Sequence, residues 1–134
     1  MSTDSLDTNL LIRLIMNDVP GLRKKALDLI YSPKTTHYVE TLALAETLYA
    51  LETHYYLERE DAVERLAMLL ARFDSFISYD HDLTSLAFPM YLDHPKLSFY
   101  DCCLACYAEI KHHEPLMTFD RKLAAQVPQA KLVK

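Results

Sequence analysis

Apolar residues along this chain recur at helical spacing over long stretches, and shorter apolar runs separate these stretches. The clearest example follows Thr41, and its apolar stripe consists of Leu44, Leu48, Leu51 and Tyr55. Residues spaced by three or four positions lie on one face of a helix. Thr41 is of a type that caps helix N-termini. We therefore predict a long amphipathic helix that begins at this threonine.

The same rules predict the other elements. Further helices are predicted over residues 10–16, 19–30, 60–73, 81–92, 98–113 and 121–127. Short strands are predicted over residues 37–40, 75–79, 115–119 and 130–134. Parallel strands require crossover connections, and helices between strands supply them. The pattern thus predicts an α/β fold with a mainly parallel sheet of four to five short strands, flanked by helices on both faces.

Length and composition limit what this fold can be. The 134 residues, 51% of them hydrophobic and 25% charged, suit one globular domain over residues 1–134. Gly21 is the only glycine, so glycine-rich loops that cradle nucleotide phosphates are excluded.

Charge, cysteines and the start of the chain bear on location and partners. The start has no basic segment and Arg13 interrupts its apolar run, so we expect neither a signal peptide nor a membrane span, and a cytoplasmic protein. Cys102, Cys103 and Cys106 are an odd, closely spaced set, which predicts reduced thiols. The net charge of -5 disfavours a protein that coats nucleic acid, but a nuclease whose carboxylates bind a cation can be acidic.

Four acidic residues follow predicted strands or begin the helices after them: Asp7, Glu46, Asp101 and Asp120. In open α/β sheets, ligands bind at the carboxyl ends of the strands, so these residues could converge there. Four carboxylates in one crevice would repel one another unless a cation joined them. A set made only of oxygen ligands favours Mg²⁺ or Mn²⁺, which can activate water for phosphodiester hydrolysis.

Each acid also has a purely structural interpretation. Ser98 and Asp101 match the capping-box pattern, in which the two side chains satisfy backbone amides. Asp7 could cap the first helix, as could Asn9, and Asp120 could cap the last helix. Glu46 could be one more solvated charge on a helix. The spacing of these residues leaves both interpretations open.

Four blocks of this sequence resemble the PIN-domain family, and within it the ribonuclease toxins of bacterial toxin-antitoxin pairs, often called VapC. The blocks cover nearly the whole chain, and they read LDTNLLIRLI, LALAETLYALE, LSFYDCCLACYAE and LMTFDRKLAAQVP. The resemblance implies a parallel sheet flanked by helices and an Mg²⁺- or Mn²⁺-dependent endoribonuclease that hydrolyses single-stranded RNA. It further implies a homodimer and a cognate antitoxin protein as partner.

The resemblance assigns roles to six residues. The metal-binding and catalytic acids would be Asp7, Glu46, Asp101 and Asp120, supported by the polar residues Asn9 and Thr118. Such supporting residues orient carboxylates or metal-bound water. The alternative is a degenerate PIN fold that keeps the scaffold, binds a partner and does not catalyse.

The first strand is where this sequence departs from the family. Members usually place several apolar residues before the first acid, whereas the stretch before Asp7 is STDSL, with Leu6 as its only apolar residue. This departure puts the first strand in doubt. Asp4 is a less favoured substitute for Asp7, because no Thr and Asn follow it.

Other kinds of site fit this sequence less well. A zinc site built from Cys102, Cys106, His112 and His113 would need four converging ligands, which one helix and its end do not supply. A haloacid-dehalogenase nucleophile at Asp7 would require a second Asp two positions later, where Asn9 stands.

Two further features concern binding. Among the basic residues, Arg13, Arg121 and Lys122 are best placed to meet a phosphate, because they follow Asn9 and Asp120 closely. The adjacent Tyr55 and Tyr56 indicate more apolar surface than one helix face buries, in agreement with a dimer.

Overall fold

The computed structural model describes residues 2–134, and the contacts between them divide the chain into two compact units. The first unit ends at Tyr79 and the second begins at Asp80. Within each unit, every pair of neighbouring strands is parallel. The predicted α/β class with parallel strands is therefore confirmed.

The first unit contains a three-stranded sheet with the order β1-β2-β3. Its strands are β1 (Ser2–Ser5), β2 (Thr35–Tyr38) and β3 (Ile77–Ser78). Two helices connect each strand to the next, since parallel neighbours cannot be joined by a tight turn. The helices are α1 (Thr8–Ile15), α2 (Pro20–Ile30), α3 (Thr41–Thr53) and α4 (Arg59–Arg72).

Strand β1 forms although its sequence is polar. In its register with β2, Ser2 lies beside Thr35, Thr3 beside Thr36 and Asp4 beside His37. Each pair also shares a side-chain hydrogen bond, at 3.4, 2.8 and 2.5 Å respectively. Polar side-chain pairs thus accompany the backbone ladder where other chains would place apolar contacts. Asp4 belongs to this ladder, so it is engaged with His37 rather than standing in for Asp7.

His37 is the fully buried member of this ladder. Its Nδ1 lies 2.5 Å from the Asp4 carboxylate, and its Nε2 lies 3.1 Å from the Leu29 carbonyl oxygen on α2. A carbonyl oxygen only accepts, so Nε2 carries a proton. The ring therefore connects β1, β2 and α2 through two hydrogen bonds.

The core of the first unit is built from the apolar faces of its helices. The fully buried side chains include Leu11 of α1, Ile30 of α2, Leu48 of α3 and Leu66 of α4. These residues recur at helical spacing with their buried neighbours, so each helix presents one apolar stripe. Burying one such side chain contributes on the order of 1.5–3 kcal/mol.

The second unit pairs two helices with a short parallel ladder. It contains α5 (His81–Asp93), α6 (Phe99–Ile110), β4 (Leu116–Thr118), α7 (Arg121–Gln126) and β5 (Ala130–Leu132). Strand β4 pairs with β5 in parallel. The contact between α5 and α6 includes Tyr91 packed edge-on against Phe99 at 5.4 Å between ring centres.

Three local predictions differ from the structure. Strand β2 ends at Tyr38, earlier than predicted, and Glu40 rather than Thr41 precedes the first residue of α3. Tyr55 lies beyond the end of α3 and is half-buried, so it does not extend the buried stripe of that helix. The stripe stops where the helix itself stops, at Thr53. Across residues 2–134, no helix is both long and apolar enough to span a bilayer.

Candidate functional site

A cleft of about 400 Å³ in the first unit brings together three of the predicted site residues. Asp7, Asn9 and Glu46 line it, together with Glu40 and a few apolar residues. The cleft lies where α1 and α3 begin, just beyond the carboxyl ends of β1 and β2. This is the edge at which ligands bind in open α/β sheets.

A hydrogen bond from Thr8 holds the two sides of this cleft together. The Thr8 hydroxyl on α1 donates to Oε2 of Glu46 on α3 at 3.0 Å. Sequence analysis did not assign this role to Thr8, although the residue stands within the quoted LDTN block. Glu46 is exposed, but it is more than a solvated charge, since Thr8 fixes its carboxylate beside the start of α1.

Asp7 also serves as the N-cap of α1. Its Oδ1 accepts a hydrogen bond from the Leu10 amide at 2.9 Å. A carboxylate has a second oxygen, and Oδ2 makes no hydrogen bond within the described part of this unit. The capping role therefore leaves Asp7 able to bind a cation in the cleft.

Glu40 is the residue in this cleft that sequence analysis missed. The sequence places Glu40 at the end of the predicted strand over residues 37–40 and indicates no role for its side chain. In the structure Glu40 precedes α3 without capping it through its side chain, and it lines the cleft with Asp7 and Glu46. Its position directly before a helix that carries a site acid was the available signal.

In the second unit, Asp120 is the N-cap of α7 and contacts Thr118. The Asp120 Oδ1 accepts from the amides of Lys122 and Leu123 at 2.9 and 3.1 Å. The Thr118 hydroxyl oxygen accepts from the Asp120 amide at 2.9 Å. The two residues predicted to act together therefore contact each other directly, and Oδ2 of Asp120 is left for another ligand.

Asp101 forms the capping box expected from its spacing to Ser98. The Ser98 hydroxyl oxygen accepts from the Asp101 amide at 3.1 Å, and Oδ2 of Asp101 accepts from the Ser98 amide at 3.2 Å. No hydrogen bond joins Asp101 to Asp120 among the described residues of the second unit. As at Asp7, the structural interpretation is correct and leaves one carboxylate oxygen uncommitted.

The donor set fits a hard divalent cation. Asp7 and Glu46 offer carboxylate oxygens in one cleft, and neither histidine nor cysteine lines it. Neither unit by itself, within residues 2–134, contains a group of three or more His, Cys, Asp or Glu side chains arranged to bind a metal. The cleft is nevertheless lined by carboxylates, the ligand type that Mg²⁺ and Mn²⁺ prefer.

Arg13, which the sequence places where it could meet a phosphate, forms hydrogen bonds within the protein. Its guanidinium donates to Asp18 at 2.9 Å and to the Tyr55 hydroxyl oxygen at 3.0 Å, and Tyr55 in turn donates to Asp18 at 2.9 Å. The hydrogen bond from Tyr55, assisted by Arg13, lowers the pKa of Asp18. These three side chains connect α1 to the segment that follows it and to the segment that follows α3.

The three cysteines of α6 are buried, and none of them forms a disulfide bond within residues 2–134. Burial, with smaller contributions from the neighbouring cysteines, raises the pKa of Cys103 to about 12. Burial also raises the pKa of Cys106 to about 11. Both groups are neutral at physiological pH, so they act as small core side chains rather than as nucleophiles.

Comparison with known proteins adds one family assignment. The family model described as the PIN domain matches residues 5–127. No protein of curated function matches the chain. A solved VapBC2 complex from Rickettsia felis, bound to a DNA fragment from its promoter, contains a chain that is 17% identical to this one over 99% of this chain and 98% of that chain. The TM-score between the two chains is only 0.39, so the family assignment rests on the match to the PIN-domain model alone.

Proposed function

Because this chain belongs to the PIN-domain family, we propose that it is an Mg²⁺- or Mn²⁺-dependent endoribonuclease that acts as the toxin of a toxin-antitoxin pair. PIN domains are generally nucleases, and they generally use divalent metal ions. The observation that carries the proposal is the cleft of the first unit, where Asp7 and Glu46 lie together in a chain matched by the family model over most of its length.

Different residues of this chain would bind the cation, orient the water and hold the acids in position. Asp7, Glu46, Asp101 and Asp120 would bind the cation, whose bound form supplies an activated water and neutralises charge on the phosphate. Asn9 lines the cleft beside Asp7 and would orient the water by a hydrogen bond. Thr8 keeps Glu46 in position, and Thr118 does the same for the start of α7.

The expected reaction is hydrolysis of a phosphodiester bond. The oxygen of water attacks phosphorus, the bond from phosphorus to the 3' oxygen breaks, and that oxygen takes up a proton. The products are one 5'-phosphate end and one 3'-hydroxyl end. The exposed carboxylates of Asp7, Glu46 and Asp120 are accessible to a polymer substrate, which could not enter a closed cavity.

Incubating the purified chain with single-stranded RNA tests this proposal. We expect cleavage in Mn²⁺ or Mg²⁺, loss of cleavage in excess EDTA, and recovery when the cation is restored. The new 5' ends should be ligatable without kinase treatment, since they carry phosphate. Cleavage that persists in EDTA, or products that end in a 2',3'-cyclic phosphate, would contradict the mechanism.

We also propose that the chain forms a homodimer. Several large apolar side chains are exposed in the first unit, among them Leu42, Tyr49, Tyr56 and Met68. Leu42 and Tyr49 are seven residues apart in α3 and so lie on one face of that helix, and an exposed apolar face of this kind suits an interface. Light scattering should give about twice the chain mass of 15.5 kDa. A mass of one chain at high protein concentration would refute the dimer.

A further inference from the structure

Phe119 is an unusually exposed aromatic residue, and it lies between two residues of the proposed site. Its side chain is 81% exposed, and it is preceded by Thr118 and followed by Asp120. Leu116 and Thr118 are half-buried, whereas Met117 and Phe119 are exposed. Strand β4 ends at Thr118, and Phe119 stands at the bend that leads to Asp120. Met117 and Phe119 are therefore two exposed apolar side chains within three residues of Asp120.

Three exposed cations adjoin these two residues in the sequence or in the strand register. Lys131 of β5 is the register partner of Met117, which places it on the same side of the ladder. Arg121 and Lys122 follow Asp120 at the start of α7, and both are exposed. Within the described part of the second unit, none of the three forms an ion pair. In a chain of net charge -5, such a local group of unneutralised cations is suited to an anion.

We propose that this group, the β4 surface (Met117, Phe119, Arg121, Lys122 and Lys131), binds one RNA strand by stacking a base on Phe119 and pairing its cations with phosphates. An aromatic platform among cations is the arrangement by which proteins hold single-stranded nucleic acid. A duplex hides its base faces, so Phe119 selects unpaired RNA. This inference rests on the proposed ribonuclease function and adds the residue that positions the strand beside Asp120.

The stacking side chain has a further consequence for specificity. A phenyl ring offers no hydrogen-bond donor or acceptor, so it contacts the face that every base possesses and cannot read the base edge. The β4 surface therefore fixes the strand without selecting its sequence. Removing the ring should raise KM more than it lowers kcat, because the ring contacts the substrate both before and during the reaction.

Tryptophan fluorescence tests the stacking directly, because the chain has no tryptophan. Phe119→Trp introduces a single indole at the proposed platform. Tyr31→Trp provides the control, since Tyr31 is 49% exposed and lies in the other unit, outside the cleft. With EDTA present to keep the RNA intact, titration with a single-stranded oligoribonucleotide should quench the indole emission of the Phe119→Trp variant and leave that of the Tyr31→Trp variant unchanged. Duplex RNA of the same length should quench far less.

Affinity measurements provide a second, independent readout. Phe119→Ala and Phe119→Leu should each weaken oligoribonucleotide binding at least about fivefold, measured by fluorescence anisotropy, while Phe119→Trp should bind as tightly as the original chain. Since the side chain is exposed, none of the three changes should alter the melting temperature. Leu retains an apolar side chain, so its failure to substitute would separate stacking from simple apolar contact.

The outcomes separate this inference from the function on which it rests. If the unaltered chain neither binds nor cleaves RNA, the ribonuclease proposal fails as well. If it does both, yet RNA does not quench the Phe119→Trp variant and Phe119→Ala binds normally, only the role of the β4 surface is wrong. Indole emission of the Phe119→Trp variant that shifts with protein concentration in the absence of RNA would assign this surface to a contact between copies, and would overturn the inference.

Discussion

Replacing Asp7 or Asp120 by Asn should remove most RNA cleavage while leaving the fold intact. Asn is as good an N-cap residue as Asp, because its side-chain oxygen accepts the same backbone hydrogen bond. It has no negative charge, however, and binds a hard cation poorly. We expect a loss of about 100-fold or more in kcat/KM, equivalent to about 2.7 kcal/mol of transition-state stabilisation.

Alanine at the same positions provides the comparison. Asp7→Ala and Asp120→Ala lose the cap as well as the charge, so they should also be destabilised by about 1 kcal/mol in urea unfolding. Activity that falls in the Ala variants but survives in the Asn variants would mean that these acids are caps only. Asp28→Asn is a suitable control, since Asp28 forms a solvent-exposed ion pair with Lys24 outside the cleft.

Variants of the site acids also test how the proposed antitoxin would inhibit the enzyme. Crowded carboxylates that favour a cation also favour a guanidinium, so an inhibitor is expected to place an Arg or Lys among them. Asp7→Asn and Glu46→Gln should then weaken binding of both Mn²⁺ and antitoxin in calorimetry. Variants that lose Mn²⁺ but keep full antitoxin affinity would exclude direct competition at the acids.

His37→Ala should cause the largest loss of stability of any single change in the first sheet. The substitution removes a fully buried ring, leaves the Leu29 carbonyl without its donor and deprives Asp4 of its partner. Cavity formation and an unsatisfied buried acceptor together cost about 2–4 kcal/mol. Urea unfolding monitored by circular dichroism measures the change.

Thr36→Val is the matched control for this experiment. Thr36 is the residue before His37 in β2, and its hydroxyl bonds to the Thr3 hydroxyl and, more weakly, to the Ser2 carbonyl oxygen on the exposed side of the ladder. Water replaces such exposed hydrogen bonds, so their loss costs about 1 kcal/mol. If His37→Ala were no more destabilising than Thr36→Val, the buried ring would not be what secures the polar first strand.

The helices and two of their caps could be predicted because they depend on residues close together in the sequence. The Ser98–Asp101 capping box and the Asp120 cap were both proposed from spacing, and both are present. The α/β class followed from the alternation of helices and strands, and the family resemblance is confirmed by the match over residues 5–127. That the whole chain is one domain stays a prediction.

Strand β1 and the surroundings of Arg13 depended on contacts distant in sequence. Nothing in STDSL indicates a strand, and β1 exists because its backbone and polar side chains pair with β2, more than 30 residues away. The position of Arg13 after Asn9 indicates a phosphate ligand, whereas in the structure its guanidinium donates to Asp18 and Tyr55.

The sequence by itself determined which acids were candidates, and only the tertiary structure decided which of them meet. Local spacing predicted that Asp7 begins a helix, and it could not tell that Thr8 reaches Glu46 or that Glu40 shares the cleft. A cap is a contact within three residues, whereas a cleft is formed by elements that the sheet brings together. Which carboxylates are neighbours therefore follows from strand pairing and helix packing, and the composition of each segment does not contain that information.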